Sequence, residues 1–179
     1  MQAQKTQTNK QQKGFTLVEF GITMILVSVI LAIGIAGYRK YSRNIQVNDN
    51  ITLLTVIAES ARGKYGTTQG YANVTTASAV SSGIIPVELQ DTLNGTTASN
   101  KFNSAVTLLP GANNTAVLTW GNVPRAVCAN IATGVEGAFV RIQVNGTDVK
   151  PLGGVLDDGT LTTQCANDAN TFALFIGKA

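Results

Sequence analysis

From Phe15 to Tyr38 the chain carries one formal charge, Glu19. This apolar run is longer than the roughly 20 residues a helix needs to cross a bilayer. A long N-terminal helix is therefore the element to which the rest of the chain must be fitted. A carboxylate in such a helix costs about 2.5 to 3.5 kcal/mol at a bilayer centre and less near an end. Glu19 thus requires a partner, a function, or a place near water at the helix start, where the macrodipole favours an acid.

Helical character continues past the run. Val47, Ile51, Leu54, Ala58, Ala61 and Tyr65 recur at alternating spacings of four and three, which lines one helical face. Asn48, Asp49, Asn50, Thr52, Glu59 and Arg62 fall at the other positions. The spacing predicts one helix from Phe15 until Gly63 or Gly66 breaks it. At 1.5 Å per residue that helix would run on the order of 75 Å, well beyond a bilayer's need. Its second half must be covered by the remaining two-thirds of the chain.

Residues 66–103 are rich in Gly, Thr, Ser and Asn, with a short helix predicted over Thr76 to Ser82, ended by Gly83 and followed by Pro86. They read as a connecting region packed on the helix, with a disordered linker as the competing reading. From Ser104 the pattern turns to β. Ser104 to Leu109 and Thr115 to Trp120 flank Pro110-Gly111-Ala112-Asn113-Asn114, a five-residue loop suited to a hairpin. Pro124 to Thr133 reads as a short helix, with Pro124 near its start and Gly134 past its end. Phe139 to Val144 and Thr147 to Lys150 flank Asn145-Gly146, a strong hairpin signal. Thr171 to Ile176 is a final strand. The expected fold is α+β: a long N-terminal helix, membrane-spanning then amphipathic, packed on a C-terminal antiparallel sheet. The expected segments are a leader over 1–14, a helix over 15–65 with 15–38 transmembrane, and a head domain over 66–179.

The net charge of +3 dissolves once it is located. Lys5, Lys10 and Lys13 all precede Phe15, and the remaining basic and acidic side chains cancel. An argument for nucleic-acid binding from overall charge is thereby weakened. Lysines before the span and Arg39, Lys40 and Arg43 after it tie the positive-inside count; the latter three are placed to meet lipid headgroups. The chain has no histidine, which removes Ser-His-Asp and Cys-His catalysis. No phosphate-binding or dinucleotide glycine motif opens a helix, and no metal or cofactor is expected. Asp157-Asp158-Gly159 lacks the ligand spacing of a calcium loop and reads as a turn. Asn73, Asn94, Asn113 and Asn145 each begin an Asn-X-Thr triplet, and for Asn94 and Asn145 a following glycine makes turn chemistry sufficient. Cys128 and Cys165 suit one disulfide in an oxidising compartment, with two buried thiols as the alternative. An ordinary secretory signal, cut near Gly34 or Ala36, competes with the long-helix reading, although the apolar stretch exceeds the usual length of such signals.

Lys13-Gly14-Phe15-Thr16-Leu17-Val18-Glu19, with the apolar run behind it, resembles the class III signal sequence of type IV pilins and pseudopilins. The stretch Trp120-Gly121-Asn122-Val123-Pro124-Arg125-Ala126-Val127-Cys128, with Val144-Asn145-Gly146-Thr147 and Cys165, is similar to the C-terminal domain of type IVb pilins. Type IVb leaders tend to be longer and to precede a residue other than Phe, so this chain departs from that subclass at its processing site. The resemblance implies a major pilin precursor. A prepilin peptidase would cut between Gly14 and Phe15 and methylate the new amine of Phe15. Glu19 would then neutralise the N-terminal amine of an adjacent subunit as the helix leaves the inner membrane for the filament core. Gly34, Ala36 and Gly37 would allow helices to approach closely. The implied partners are further copies in a helical filament, the peptidase, the assembly machinery, and a host or recipient cell surface. Adhesion, aggregation and conjugative contact are the implied uses.

Three alternatives stay open from the residues alone. They are a minor pilin or type II secretion pseudopilin, a membrane-tethered extracytoplasmic binding module, and a secreted enzyme, the last disfavoured by the missing catalytic groups.

Overall fold

The computed structural model describes residues 17–66, 70–91 and 95–177. The first element, α1 (Leu17–Tyr65), is a single uninterrupted helix, as the periodicity predicts. No proline occurs within it, and its hydroxyls bond their own backbone: Thr23 Oγ1 donates to the carbonyls of Glu19 and Phe20 at 2.8 and 2.9 Å, and Ser28 Oγ to that of Met24 at 2.7 Å.

The chain divides at Tyr41/Ser42 into two compact units. The described part of the first is the N-terminal stretch of α1, in which every described side chain is exposed. The second contains the rest of α1, the helices α2 (Thr76–Ser81), α3 (Arg125–Gly134) and α4 (Asp158–Gln164), and six strands: β1 (Ala98–Ser99), β2 (Ala105–Gly111), β3 (Thr115–Pro124), β4 (Arg141–Val144), β5 (Thr147–Lys150) and β6 (Ala169–Ile176). The strands form one sheet in the order β1-β2-β3-β6-β4-β5, and every pairing is antiparallel. β6, the latest in sequence, sits in the middle.

One core joins helix to sheet. Leu54, Ile57, Ala58 and Ala61 of α1 are sealed from solvent in the same cluster as Ala116, Leu118 and Trp120 of β3 and Phe172, Leu174 and Ile176 of β6. These strand residues alternate, as a sheet with one covered face requires. Truncating a fully buried leucine such as Leu54 or Leu118 to alanine costs about 2–5 kcal/mol at a site of this kind.

The connecting region is packed where it is described. Tyr71, Val74, Ala79, Val80, Ile85 and Leu89 are buried. A capping box starts α2: Ser78 N donates to Thr75 Oγ1 and Thr75 N to Ser78 Oγ, both at 3.1 Å. Gly83 leaves this helix with φ +71, a conformation that glycine adopts without Cβ strain. The two-residue β1 has no sequence signal of its own.

Four local expectations are corrected. Asn50 does not lie on a polar face but is fully buried among the core side chains of α1. The β2–β3 loop is shorter than five residues, because Pro110 and Gly111 pair with Ala116 and Thr115. Leu108 turns its N–H to Thr76 Oγ1 at 3.0 Å, so the nitrogen of Pro110, two residues on, points the same way, off the β3 ladder, and no pairing bond is lost. Gly134 is the last residue of α3 rather than the one beyond it. Asp157-Asp158-Gly159 is the start of α4: Asp157 caps it, its Oδ1 accepting from Gly159 N and Thr160 N at 2.9 and 3.1 Å.

Candidate assembly site

The exposed half of α1 is apolar all round. Leu17, Phe20, Ile22, Met24, Ile25, Leu26, Val29, Ile30, Ile33 and Ile35 are all more than half exposed. A helix hydrophobic on every face is stable only when something apolar surrounds it. It is the one described helix long and apolar enough to cross a membrane. Glu19 falls in its first turn and is exposed. Gly34 and Gly37 have open space where a Cβ would stand, so nothing described in this chain requires glycine at either position. Residues 1–16, Gly14 and Phe15 among them, lie outside the described residues, as do Asn94 and the side chains of Ala36 and Arg39.

The other half of α1 is locked to the sheet by polar contacts that its sequence pattern does not reveal. Trp120 Nε1 donates to Asn50 Oδ1 at 3.1 Å, and Asn50 Nδ2 donates to the carbonyl of Gln46 at 2.7 Å. Both side chains are fully buried, so each satisfies groups that would be costly alone. Near the far end of the helix, Arg62 Nε donates to the carbonyl of Gly177 at 3.3 Å, and Arg62 Nη2 donates to that of Ala138. Lys101 pairs with Asp49 at 3.0 Å on the surface. The one available signal for Asn50 is the lone tryptophan of the chain, whose buried indole N–H needs an acceptor.

The C-terminal part of the head is fastened three ways. Cys128 in α3 and Cys165 at the end of α4 are joined in a disulfide with Cα atoms 5.7 Å apart, closing a sequence separation of 37. Beside it, Asn145 holds the β4–β5 turn: its Nδ2 donates to the carbonyl of Gln164 and to Asn170 Oδ1 at 2.8 and 2.9 Å, and its Oδ1 accepts from Thr171 N at 3.0 Å. Asn145 and Gly146 have φ of 53 and 82, the left-handed pair of a tight hairpin. Asn145-Gly146-Thr147 is thus a turn and clamp. Third, Arg141 Nε and Nη2 donate to Asp148 Oδ1 and Oδ2 at 2.6 and 2.8 Å, with the guanidinium 4.8 Å from the centre of the Phe175 ring. These hydrogen bonds hold the Asp148 carboxyl below its ordinary range and raise the Arg141 guanidinium. Backbone donors from Thr160 and Gly159 likewise lower Asp157, whereas burial raises the Tyr71 hydroxyl.

Among the described residues no three His, Cys, Asp or Glu side chains converge as metal ligands would.

A long helix that is apolar outward at one end and packed on a six-stranded antiparallel sheet at the other, with a disulfide closing the C-terminal region, is the architecture of a type IV pilin. The solved type IVb pilin from Salmonella typhi shares this fold, with a TM-score of 0.60 and 20% identity over 74% of this chain and 99% of that one. TcpA, a type IV pilin from Vibrio cholerae El Tor biotype, matches with a TM-score of 0.47 and 18% identity, covering 71% of this chain and 98% of that one. The fimbrial protein EcpC of Eikenella corrodens is 23% identical over 160 residues, 89% of this chain and 85% of that protein. The family model described as PilS N terminal matches residues 43–176. The chain belongs to that family. Its family and fold are those of structural pilins rather than of enzymes.

Proposed function

We propose that this chain is the structural subunit of a type IV pilus, made as a precursor in the bacterial inner membrane and polymerised into an extracellular filament. The observation that carries the proposal is the N-terminal half of α1, whose large apolar side chains are exposed on every face in a chain of the pilin family. In the precursor, residues 15–38 cross the bilayer. In the filament the same surface packs against the helices of other copies, with Gly34 and Gly37 permitting close approach.

A prepilin peptidase removes residues 1–14 by cutting between Gly14 and Phe15, and the new amine of Phe15 is methylated. Glu19 pairs with that amine on an adjacent subunit, which makes its charge tolerable once water and headgroups are left behind. Residues 66–179 form the outer wall, braced by Cys128 and Cys165. Adhesion, aggregation and conjugative contact are the uses open to such a fibre.

Mass spectrometry of the mature N-terminus tests this reading together with electron microscopy of the producing cells. A methylated Phe15 in protein recovered from surface filaments is expected. A mature N-terminus near Gly37, or cells whose filaments persist undiminished without this chain, would overturn it.

A further inference from the structure

We infer that the head joins a second copy of this chain through a knob at Val87-Glu88 and a basic cleft around Arg62 and Lys150. The cleft has a volume of about 440 Å³, and Arg62, Phe139, Lys150, Leu152, Gly153 and Gly154 line it. Its two cations stop on neutral groups. Lys150 Nζ donates to the carbonyls of Glu136 and Phe139 at 2.6 and 3.0 Å, and Arg62 donates to those of Gly177 and Ala138. The nearby carboxylate of Glu136 is taken up by Leu156 N at 3.0 Å. Among the described residues neither cation is ion-paired. Two fixed positive charges beside apolar walls call for an acidic group carried on an apolar neighbour.

The same chain presents such a group. The 3₁₀ turn Val87–Leu89 buries Leu89 and leaves Val87 80% exposed beside an exposed Glu88. The turn is held from behind, with Leu89 N donating to the carbonyl of Pro86 at 3.0 Å and Gln90 Nε2 to that of Ile85 at 2.8 Å. Among the described residues Glu88 has no partner. The knob is therefore anchored at its base, apolar and acidic, the complement of the cleft.

Placement makes the match directional. Gln90 bridges to Ala98 of β1, at one edge of the sheet, whereas Lys150 lies in β5, at the other. Knob and cleft thus sit at opposite edges and cannot meet within one copy. Copies joined this way make a heterologous contact, which repeats into a ring or an open helix instead of closing as a two-fold dimer. The inference rests on the filament reading above and adds which head surfaces meet.

The test uses full-length chains carrying Val87→Cys, Leu152→Cys or both, so that Glu88 is kept, each co-expressed with wild-type chain so that filaments persist. Sheared filaments are treated with a short bis-maleimide. The doubly substituted chain is expected to give a ladder of dimers and larger multimers, and each single variant to stay monomeric. Filaments without that ladder would overturn the pairing and leave the filament reading intact. If wild-type cells make no filament containing this chain, the underlying reading fails instead. As a second arm, Glu88→Lys leaves Leu89 and Gln90 in place and is expected to keep the melting temperature while most filament mass is lost. Wild-type filament yield from that variant would also overturn the pairing.

Discussion

Trp120 Nε1 donates to Asn50 Oδ1 at 3.1 Å between two side chains with no solvent exposure, linking α1 to β3 across 70 residues of sequence. Asn50→Leu would leave the indole N–H buried without an acceptor, at a cost of about 1–3 kcal/mol. Urea denaturation of the full chain in detergent should show that loss. In a double-mutant cycle Trp120→Phe should cost less in the Asn50→Leu background than in the wild type, because the hydrogen bond is already gone there and the change removes the orphaned donor. Strict additivity would mean the hydrogen bond is not what couples the two positions.

Opening the Cys128–Cys165 bridge should destabilise the head markedly. For a loop of this length the chain-entropy estimate is about 4 kcal/mol. Melting with and without reductant, or of the Cys128→Ser/Cys165→Ser pair, reads the loss directly. An unchanged melting temperature would refute a bracing role.

Acid should loosen the β4–β5 hairpin through Asp148. Arg141 lowers the folded-state pKa of Asp148, so the stabilisation is fully present above the unfolded carboxylate value near ~3.9 and fades as pH falls through the lower folded value. Both side chains are about a third exposed, which keeps the contribution below about 1 kcal/mol. Stability measured between neutral pH and strong acid should therefore fall less steeply in Asp148→Asn than in the wild type. Parallel curves would show that Asp148 is not a source of the acid dependence.

Glu19→Gln should separate processing from polymerisation. The mature N-terminus is expected to remain a methylated Phe15, because the change keeps the side chain's size, while filaments disappear from the cell surface. Normal filaments from the variant would remove the docking role of the charge.

What the sequence reveals depends on how far apart the interacting residues lie. The α1 core face was legible because Leu54, Ala58 and Ala61 follow local periodicity and all three are buried. Asn145-Gly146 was legible because a two-residue turn is decided by those residues' own dihedrals. Asn50 was not: an amide belongs to the polar class until a tryptophan far along the chain supplies its reason to be inside. The sequence pattern places Pro110 in a five-residue loop, and only the Thr76 contact at Leu108 reveals that its nitrogen faces off the pairing side. For Asp157, a turn and a helix cap use the same short side-chain geometry, and a helix as short as α4 leaves too little periodicity to separate them. At the assembly site, the apolar span and Glu19 were visible as composition. The cleft at Arg62 and Lys150 was not, since it is built by three separate segments.

The placement of β6 has a consequence for biogenesis. Among the described residues, 169–176 form the only link between the β1-β2-β3 half of the sheet and the β4-β5 pair. A chain made from its N-terminus therefore exposes two unfinished sheet edges, on β3 and β4, until its latest strand is available. The sheet cannot close progressively from one side, and contacts this distant in sequence form slowly. For that interval each unfinished chain is a template for pairing with its neighbours, so this strand order favours folding in which the chains are kept apart.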